Sequence, residues 1–350
     1  MLFSKKVLGI DIGISSIKII ELSGGKKKQT LEHCGVIEST QFFDESSNLA
    51  KEGILSLSPK EIAKTLSSGL KELGIRSKEA VFSIADFLTF FANITLPPMK
   101  EEEISQAVRY QSRKVIPLSL KETTLDWQII EGKPSTKDEL KILVVAISNE
   151  VIKKYQSIAN LAKLNLLGIE PEAFSLARSL VKEEKGVAII DIGAQSTTCN
   201  IIENKTLKTS YSLNISSKSF VQRISKRLNI SYDEALELEK KYGIKEKVGG
   251  EGRIAYESLI PSIKFLSQQI ENVFEEFSQM EDGRIEKIIL AGGAALLPGL
   301  KEFLEDFFKK EVEIANPFFG ISYPSFVEQE LIKVAPIFGV ATGLAKRNFL

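Results

Sequence analysis

The sequence predicts an α/β protein built as two duplicated lobes, with a smaller subdomain inserted into the first. Three observations predict it. An apolar strand, a tight Asp-Ile-Gly turn and a returning strand occupy residues 7–22, and the pattern comes back at 187–202, so that Asp11-Ile12-Gly13 is matched by Asp191-Ile192-Gly193 at an offset of 180 residues. Self-similarity on that scale marks one fold duplicated within a chain. Between the copies, residues 89–165 read as a β-α-β-β-α unit of their own. The 350 residues suffice for two cores and are too many for one core of ordinary size.

In chain order, residues 7–10 and 17–22 form a hairpin around the Asp-Ile-Gly-Ile-Ser-Ser turn, and a third strand at 32–37 follows the turn Gly24-Gly25-Lys26-Lys27-Lys28. Ile62, Leu66 and Leu70 share one face of a helix over 59–73, and 80–84 is a short buried strand. The inserted unit has strands at 90–96, 125–130 and 141–147 and helices at 101–115 and 150–164, the first opened by acidic residues that suit its dipole. The second copy has strands at 187–191 and 197–202. Leu259, Ile263, Leu266, Ile270, Val273 and Phe277 recur at steps of four and three along a long helix over 254–279 that buries one face against a sheet. A strand at 287–290 runs into Ala291-Gly292-Gly293-Ala294-Ala295, and a helix starts near Gly299.

Composition excludes several classes. Acidic and basic residues cancel at 46 each, so no global field recruits nucleic acid or an anionic membrane. No apolar run approaches the roughly 18 residues of a spanning helix, and the run at 7–10 is too short for a secretory signal. Cys34 and Cys199 are far apart, as expected of thiols in a reducing compartment, and with His33 the single histidine there is no basis for a zinc site or a histidine triad.

Three stretches carry chemistry. Glycine in each Asp-Ile-Gly turn can take positive φ and lets backbone N–H groups approach a phosphate, while Ser15, Ser16, Ser196 and Thr197 add donors. Asp11 and Asp191 end their strands beside that anion, an arrangement that calls for a cation; Mg²⁺ held through water suits it, and Lys18 reaches the same side. The third stretch, Gly292, Gly293 and Ala294 between a strand and a helix, lets a flat ring or sugar pack against backbone.

Phosphate turn, phosphate turn and glycine pair, in that order, resemble the actin, sugar-kinase and heat-shock ATPase superfamily. Within the inserted unit, Leu96-Pro97-Pro98-Met99, Glu101-Glu102-Glu103-Ile104, Val108-Arg109-Tyr110-Gln111, Val115-Ile116-Pro117-Leu118 and Leu125-Asp126-Trp127-Gln128 resemble the PilM family of type IV pilus assembly proteins. The linker Glu170-Pro171-Glu172-Ala173-Phe174-Ser175 and the ending Ala335-Pro336-Ile337-Phe338-Gly339-Val340-Ala341-Thr342-Gly343 are similar to that family too.

The resemblance implies a duplicated actin-like (ribonuclease-H-like) two-lobe ATPase fold with an inserted subdomain placed as in the cell-division protein FtsA. It implies a first lobe over 1–88, continued by 166–186 and 335–350, an inserted partner-binding subdomain over 89–165, and a second lobe over 187–334 whose 2B-like portion spans about 216–258. By position, Asp11, Gly13, Ser15, Ser16 and Lys18 match the first phosphate motif, Asp191, Gly193, Ser196 and Thr197 the second, and Gly292, Gly293 and Ala294 the adenosine motif. The cofactors implied are ATP and Mg²⁺, with Asp11 and Asp191 facing the metal. Glu172 matches the acidic residue that orients a hydrolytic water in active relatives. Ser216-Ser217 replaces the usual Gly-Gly pair, and Ala235-Leu236-Glu237-Leu238-Glu239 the usual Ala-Glu-x-x-Lys, so phosphate recognition is expected intact, sugar and base recognition altered and any hydrolysis slow.

The function implied is a cytoplasmic scaffold, peripheral to the inner membrane, that binds the amino-terminal tail of a PilN-like membrane protein in a groove between the first lobe and the inserted unit. Charges at Phe90 or Ile94 are expected to block capture. A homo-oligomer and contacts with other platform proteins and the motor ATPase are further expectations. Two alternatives belong to other classes: an FtsA-like membrane-attached filament protein, to which the short stretch 344–350 offers no amphipathic membrane helix, and a small-molecule kinase of the same superfamily, for which no general-base aspartate stands out beyond Asp11 and Asp191.

Overall fold

A computed structural model describes residues 5–38, 54–182, 185–245, 249–281 and 283–349. Residues 1–4, 39–53, 183–184 and 350 of the expected first-lobe ranges, and 246–248 and 282 of the expected second lobe, lie outside the described residues.

The opening strands β1 (Lys5–Ile12), β2 (Ser16–Gly25) and β3 (Lys28–Glu38) form an antiparallel meander, because polar turns separate apolar runs that must pair their backbone groups. Helix α1 (Pro59–Glu72) starts on a capping box between Ser58 and Glu61 and leads to β4 (Glu79–Ile84), which lies parallel to β1. The inserted unit follows: β5 (Thr89–Leu96), α2 (Glu101–Val115), β6 (Thr123–Glu131) and β7 (Leu140–Ser148), with the strands in antiparallel order β5-β7-β6. Ile104 and Val108 of α2 pack on Leu96, Ile142, Val144 and Ala146.

Helix α3 (Asn149–Leu161) returns to the first lobe: Tyr155, Ile158 and Ala159 share a core with Leu8, Ile10 and Leu66. Lys163, at φ 57°, turns the chain into β8 (Asn165–Pro171), parallel to β4. The sequence pattern extends this helix to 164 and misses β8, whose Gly168 and Pro171 suppress a strand signal that pairing with β4 supplies instead. Helix α4 (Glu172–Leu180) connects to the second lobe.

There β9 (Gly186–Ile192), β10 (Thr197–Glu203) and β11 (Thr206–Leu213) repeat the meander, and α5 (Ser217–Leu228), α6 (Tyr232–Tyr242) and α7 (Glu251–Glu281) lead to β12 (Ile285–Ala291), parallel to β9. Helix α8 (Leu300–Phe308) and β13 (Glu311–Ile314) complete the sheet in order β11-β10-β9-β12-β13. The chain then crosses back: β14 (Ile321–Ser322) pairs with β3, α9 (Glu328–Val334) follows, and α10 (Gly339–Lys346) packs on β1.

Both sheets are therefore covered on both faces. Leu8, Ile10 and Ile12 face α1 and α3; Val7 faces the layer made by α4 and α10, which Val187 and Ile189 cover from the other sheet; and Ala188 and Ile190 face α5, α7 and α8. A strand covered on both faces is apolar throughout, which is why β1 and β9 read as continuous runs. Gly9 permits the middle layer to close, since a β-carbon there would stand 1.9 Å from the Ala341 carbonyl oxygen of α10.

Candidate functional site

The two Asp-Ile-Gly turns have the same bonding. Gly13 N–H donates to Ser16 O at 3.1 Å, and Gly193 N–H donates to Ser196 O at 3.0 Å. Neither glycine adopts the positive φ expected for it; the turn closes with ordinary dihedrals, and the demand for glycine comes from space, since a β-carbon at either would meet the serine carbonyl at 3.1 Å. Gly292 is the one with φ +85°, and its N–H donates to Pro336 O at 3.0 Å.

Asp11, Gly13, Ser15, Ser16, Lys18, Glu172, Asp191, Gly193, Ser196, Gly292 and Gly293 all line one cleft of about 260 Å³ between the lobes. Two predicted residues are not in its wall. Thr197 is fully buried and donates its hydroxyl to Ile215 O at 2.8 Å, so its neighbour Thr198 lines the cleft in its place. Ala294 is buried, with its N–H 3.4 Å from Ile192 O.

The charges in the cleft do not balance. Lys18 lies opposite Asp11 across the hairpin, its Nζ 3.2 Å from Asp11 Oδ2, and Ser83 donates to the other oxygen at 2.8 Å. Burial works against the Lys18 charge, but Asp11 and Glu172 outweigh it and its pKa is raised. Burial pushes Asp191 up to about 6, with Lys18 opposing and Asp11 adding to the rise. Glu172 is raised well above the ordinary range by burial and then by Asp11, Asp86 and Asp191. Asp86, which sequence reasoning missed, is pushed up to about 7 by burial, against the hydrogen bond it accepts from Ala173 N–H at 3.1 Å. Its own N–H donates to Glu172 Oε2 at 3.3 Å. Ser83 and Asp86 sit at the end of β4, where strand ends parallel to a phosphate-turn strand are the place to look. Among the described residues no three His, Cys, Asp or Glu side chains are placed to hold a metal directly. The excess of hard carboxylate oxygens around Lys18 does suit a Mg²⁺ ion carried through water.

A second cavity, about 690 Å³, opens between the first lobe and the inserted sheet. Asp126, Gln128, Val145 and Ile147 line one wall and Phe174, Arg178 and Arg347 the other. Glu170 anchors that wall, taking Arg178 at 2.5 and 3.1 Å. Ile94 belongs instead to the core under α2, with half-buried Phe90 packed against that core, and neither lines this groove; a charge at Ile94 would strike folding before it affected the groove. The period of β5 could not show which of its faces the helix covers.

The model of the family described as type IV pilus assembly protein PilM matches residues 9–349. The chain belongs to that family. A solved structure described as the PilM-PilN type IV pilus biogenesis complex is similar at 24% identity and TM-score 0.81, over 98% of each chain. MreB 5 of Spiroplasma citri bound to AMPPNP shares the fold at 13% identity and TM-score 0.53, over 97% of this chain and 94% of that one. Cell division protein FtsA of Staphylococcus epidermidis is 25% identical over 204 residues, 52% of this chain and 44% of the relative, and that of Bacillus subtilis 25% over 229 residues, 57% and 52%. The chain thus spans about half the length of the curated relatives it matches. The fold of this PilM-family chain is the duplicated actin-like one that the sequence implies. Among the described residues no helix is long and apolar enough to cross a membrane.

Proposed function

We propose that the chain is a cytoplasmic scaffold of the type IV pilus inner-membrane assembly platform that holds ATP with Mg²⁺ between its lobes and grips the tail of a PilN-like membrane protein beside its inserted sheet. The observation that carries the reading is the convergence of both Asp-Ile-Gly turns and the Gly292-Gly293 pair on one cleft, from segments far apart in sequence. N–H groups and hydroxyls of the two turns would meet the phosphates, and Asp11 and Asp191 would hold the metal, whose charge offsets theirs. At about 260 Å³ the cleft is tight for a nucleotide, so the lobes part to admit one.

Glu172 stands where it would orient a hydrolytic water, and burial, with Asp11, Asp86 and Asp191 beside it, raises its pKa well above the ordinary carboxylate range. Slow hydrolysis follows from the altered sugar and base region, Ser216-Ser217 and Ala235-Leu236-Glu237-Leu238-Glu239. Turnover of about one per minute or slower is expected, far below the roughly 1–1,000 per second of ordinary enzymes.

The groove supports the partner half of the reading. Its length runs along β6 and β7, and an extended peptide in such a site gains main-chain hydrogen bonds and side-chain pockets. The protein in the similar solved structure is described as a complex with PilN. Calorimetry with Mg-ATP and, separately, with the amino-terminal tail peptide of the PilN-like protein tests both halves; absence of binding by both ligands would overturn the proposal.

A further inference from the structure

Helix α2 of the inserted unit has two faces. Ile104, Val108 and Ser112 are buried, and the first two pack on the inserted sheet. The opposite face is exposed along its whole length: Glu103, Gln106, Tyr110 and Arg113 recur at steps of three, four and three, the spacing with which one helix packs on another, and Glu102 and Lys114 flank the two ends of that row. Tyr110, at the middle of the row, is 60% exposed. Among the described residues Arg113 has no ion-pair partner, Glu102 has only Lys100 at 4.0 Å, and Lys114 folds its Nζ back to 5.3 Å from the Tyr110 ring centroid. Acidic residues in the first turn and basic ones in the last suit the helix dipole, but the dipole asks for no exposed aromatic ring between them.

We infer that the outer face of α2 is an interface between two copies of this chain, the two helices packed antiparallel about a two-fold axis. The order of charges selects that partner. An axis level with Val108 sets Glu102 against Lys114 of the second copy, Glu103 against its Arg113 and Gln106 against its Tyr110, and the symmetry forms each pair twice. A parallel arrangement would instead set glutamate on glutamate and arginine on arginine. The helix has 15 residues and is about 22 Å long. A face of that length is small beside the roughly 800 Å² per partner of a standard interface, so the dimer forms at micromolar concentrations and weakens as salt screens its charges. The groove is on the other face of the inserted sheet: Val145 and Ile147 line it, while Val144 and Ala146 face α2. Pairing through α2 therefore leaves both grooves of the dimer open.

The test is sedimentation equilibrium of the whole chain, as wild type and as two charge-reversed variants, one carrying Glu102→Lys with Glu103→Lys and the other Arg113→Glu with Lys114→Glu. All four positions are exposed, and melting curves check that each variant folds. Wild type should dimerise at about 100 µM in low salt, and roughly tenfold more weakly in about 0.5 M sodium chloride. Each variant alone sets like charges against each other and should dimerise at least about tenfold more weakly than wild type. Mixed in equal amounts, the two variants regain opposite charges at every pair, so the mixture should associate as wild type does; neither a different contact surface nor a loss of folding gives that rescue. Wild type that stays monomeric at about 500 µM in low salt overturns the inference, as do single variants that dimerise like wild type and a mixture that stays monomeric.

Discussion

Gly292 lies so close to Asp191 that a β-carbon on the glycine would stand 2.2 Å from the carboxylate Oδ1 and 2.5 Å from Ile192 O. Its φ of +85° adds backbone strain to that clash for any other residue. Gly292→Ala is therefore expected to cost about 2–4 kcal/mol of stability and to displace Asp191. Gly293 has open space where its β-carbon would be, so Gly293→Ala should change stability by less than about 1 kcal/mol while weakening Mg-ATP. Urea unfolding of the pair, with calorimetry of Gly293→Ala, separates the structural glycine from the ligand-facing one.

Lys18 is the cation that the cleft carboxylates share. Lys18→Met leaves Asp11 buried beside Asp191 and Glu172 without it, at a cost of about 3 kcal/mol near pH 8. The cost shrinks toward pH 5, where Asp191, pushed up to about 6, takes up a proton. Asp11→Ala and Asp191→Ala should each weaken Mg-ATP by roughly tenfold or more, read by calorimetry. Wild-type affinity in both variants would remove the cleft assignment.

Asp86 sets a pH dependence of known sign. Its pKa rises from 3.8 to about 7 on folding, so the native state binds the proton more tightly than the unfolded chain and stability falls as pH rises from about 4 to 7. Asp86→Asn keeps an oxygen for Ala173 N–H and removes the charge. The variant should melt several degrees above wild type at pH 8 and level with it below pH 4, in scanning calorimetry across that range.

In the groove, Asp126 is an exposed position on β6, and Asp126→Arg fills the space without touching the core. Capture of the PilN-like tail peptide should weaken by roughly tenfold, with Mg-ATP affinity unchanged. Ile94→Glu should lower the melting temperature instead, because Ile94 is 7% exposed and packed under α2. Unchanged tail capture in folded Asp126→Arg would place the partner elsewhere.

The meander strands and the long helix were legible because their signals are local: continuous apolar runs for strands covered on both faces, and steps of three and four along α7. Strand β8 was not, since Gly168 and Pro171 hide a strand that exists only because β4 offers it an edge. Helix α3 was legible as a helix, but its place was not. Tyr155 and Ile158 show an apolar stripe in sequence whether they face the inserted sheet or the first lobe, and only packing decides for the latter.

By itself the sequence determined the duplication, the α/β class and the residues of the two turns, because these follow from repeated short-range patterns of apolar residues, aspartate and glycine. Tertiary structure alone decided that Thr198 faces the cleft while Thr197 turns inward, a choice that rests on which face of β10 meets α4. It alone brought Asp86 beside Glu172, 86 positions away, where burial and neighbouring carboxylates raise both pKa values. Electrostatics and burial depend on distances between segments, and no local pattern in a single chain encodes those distances.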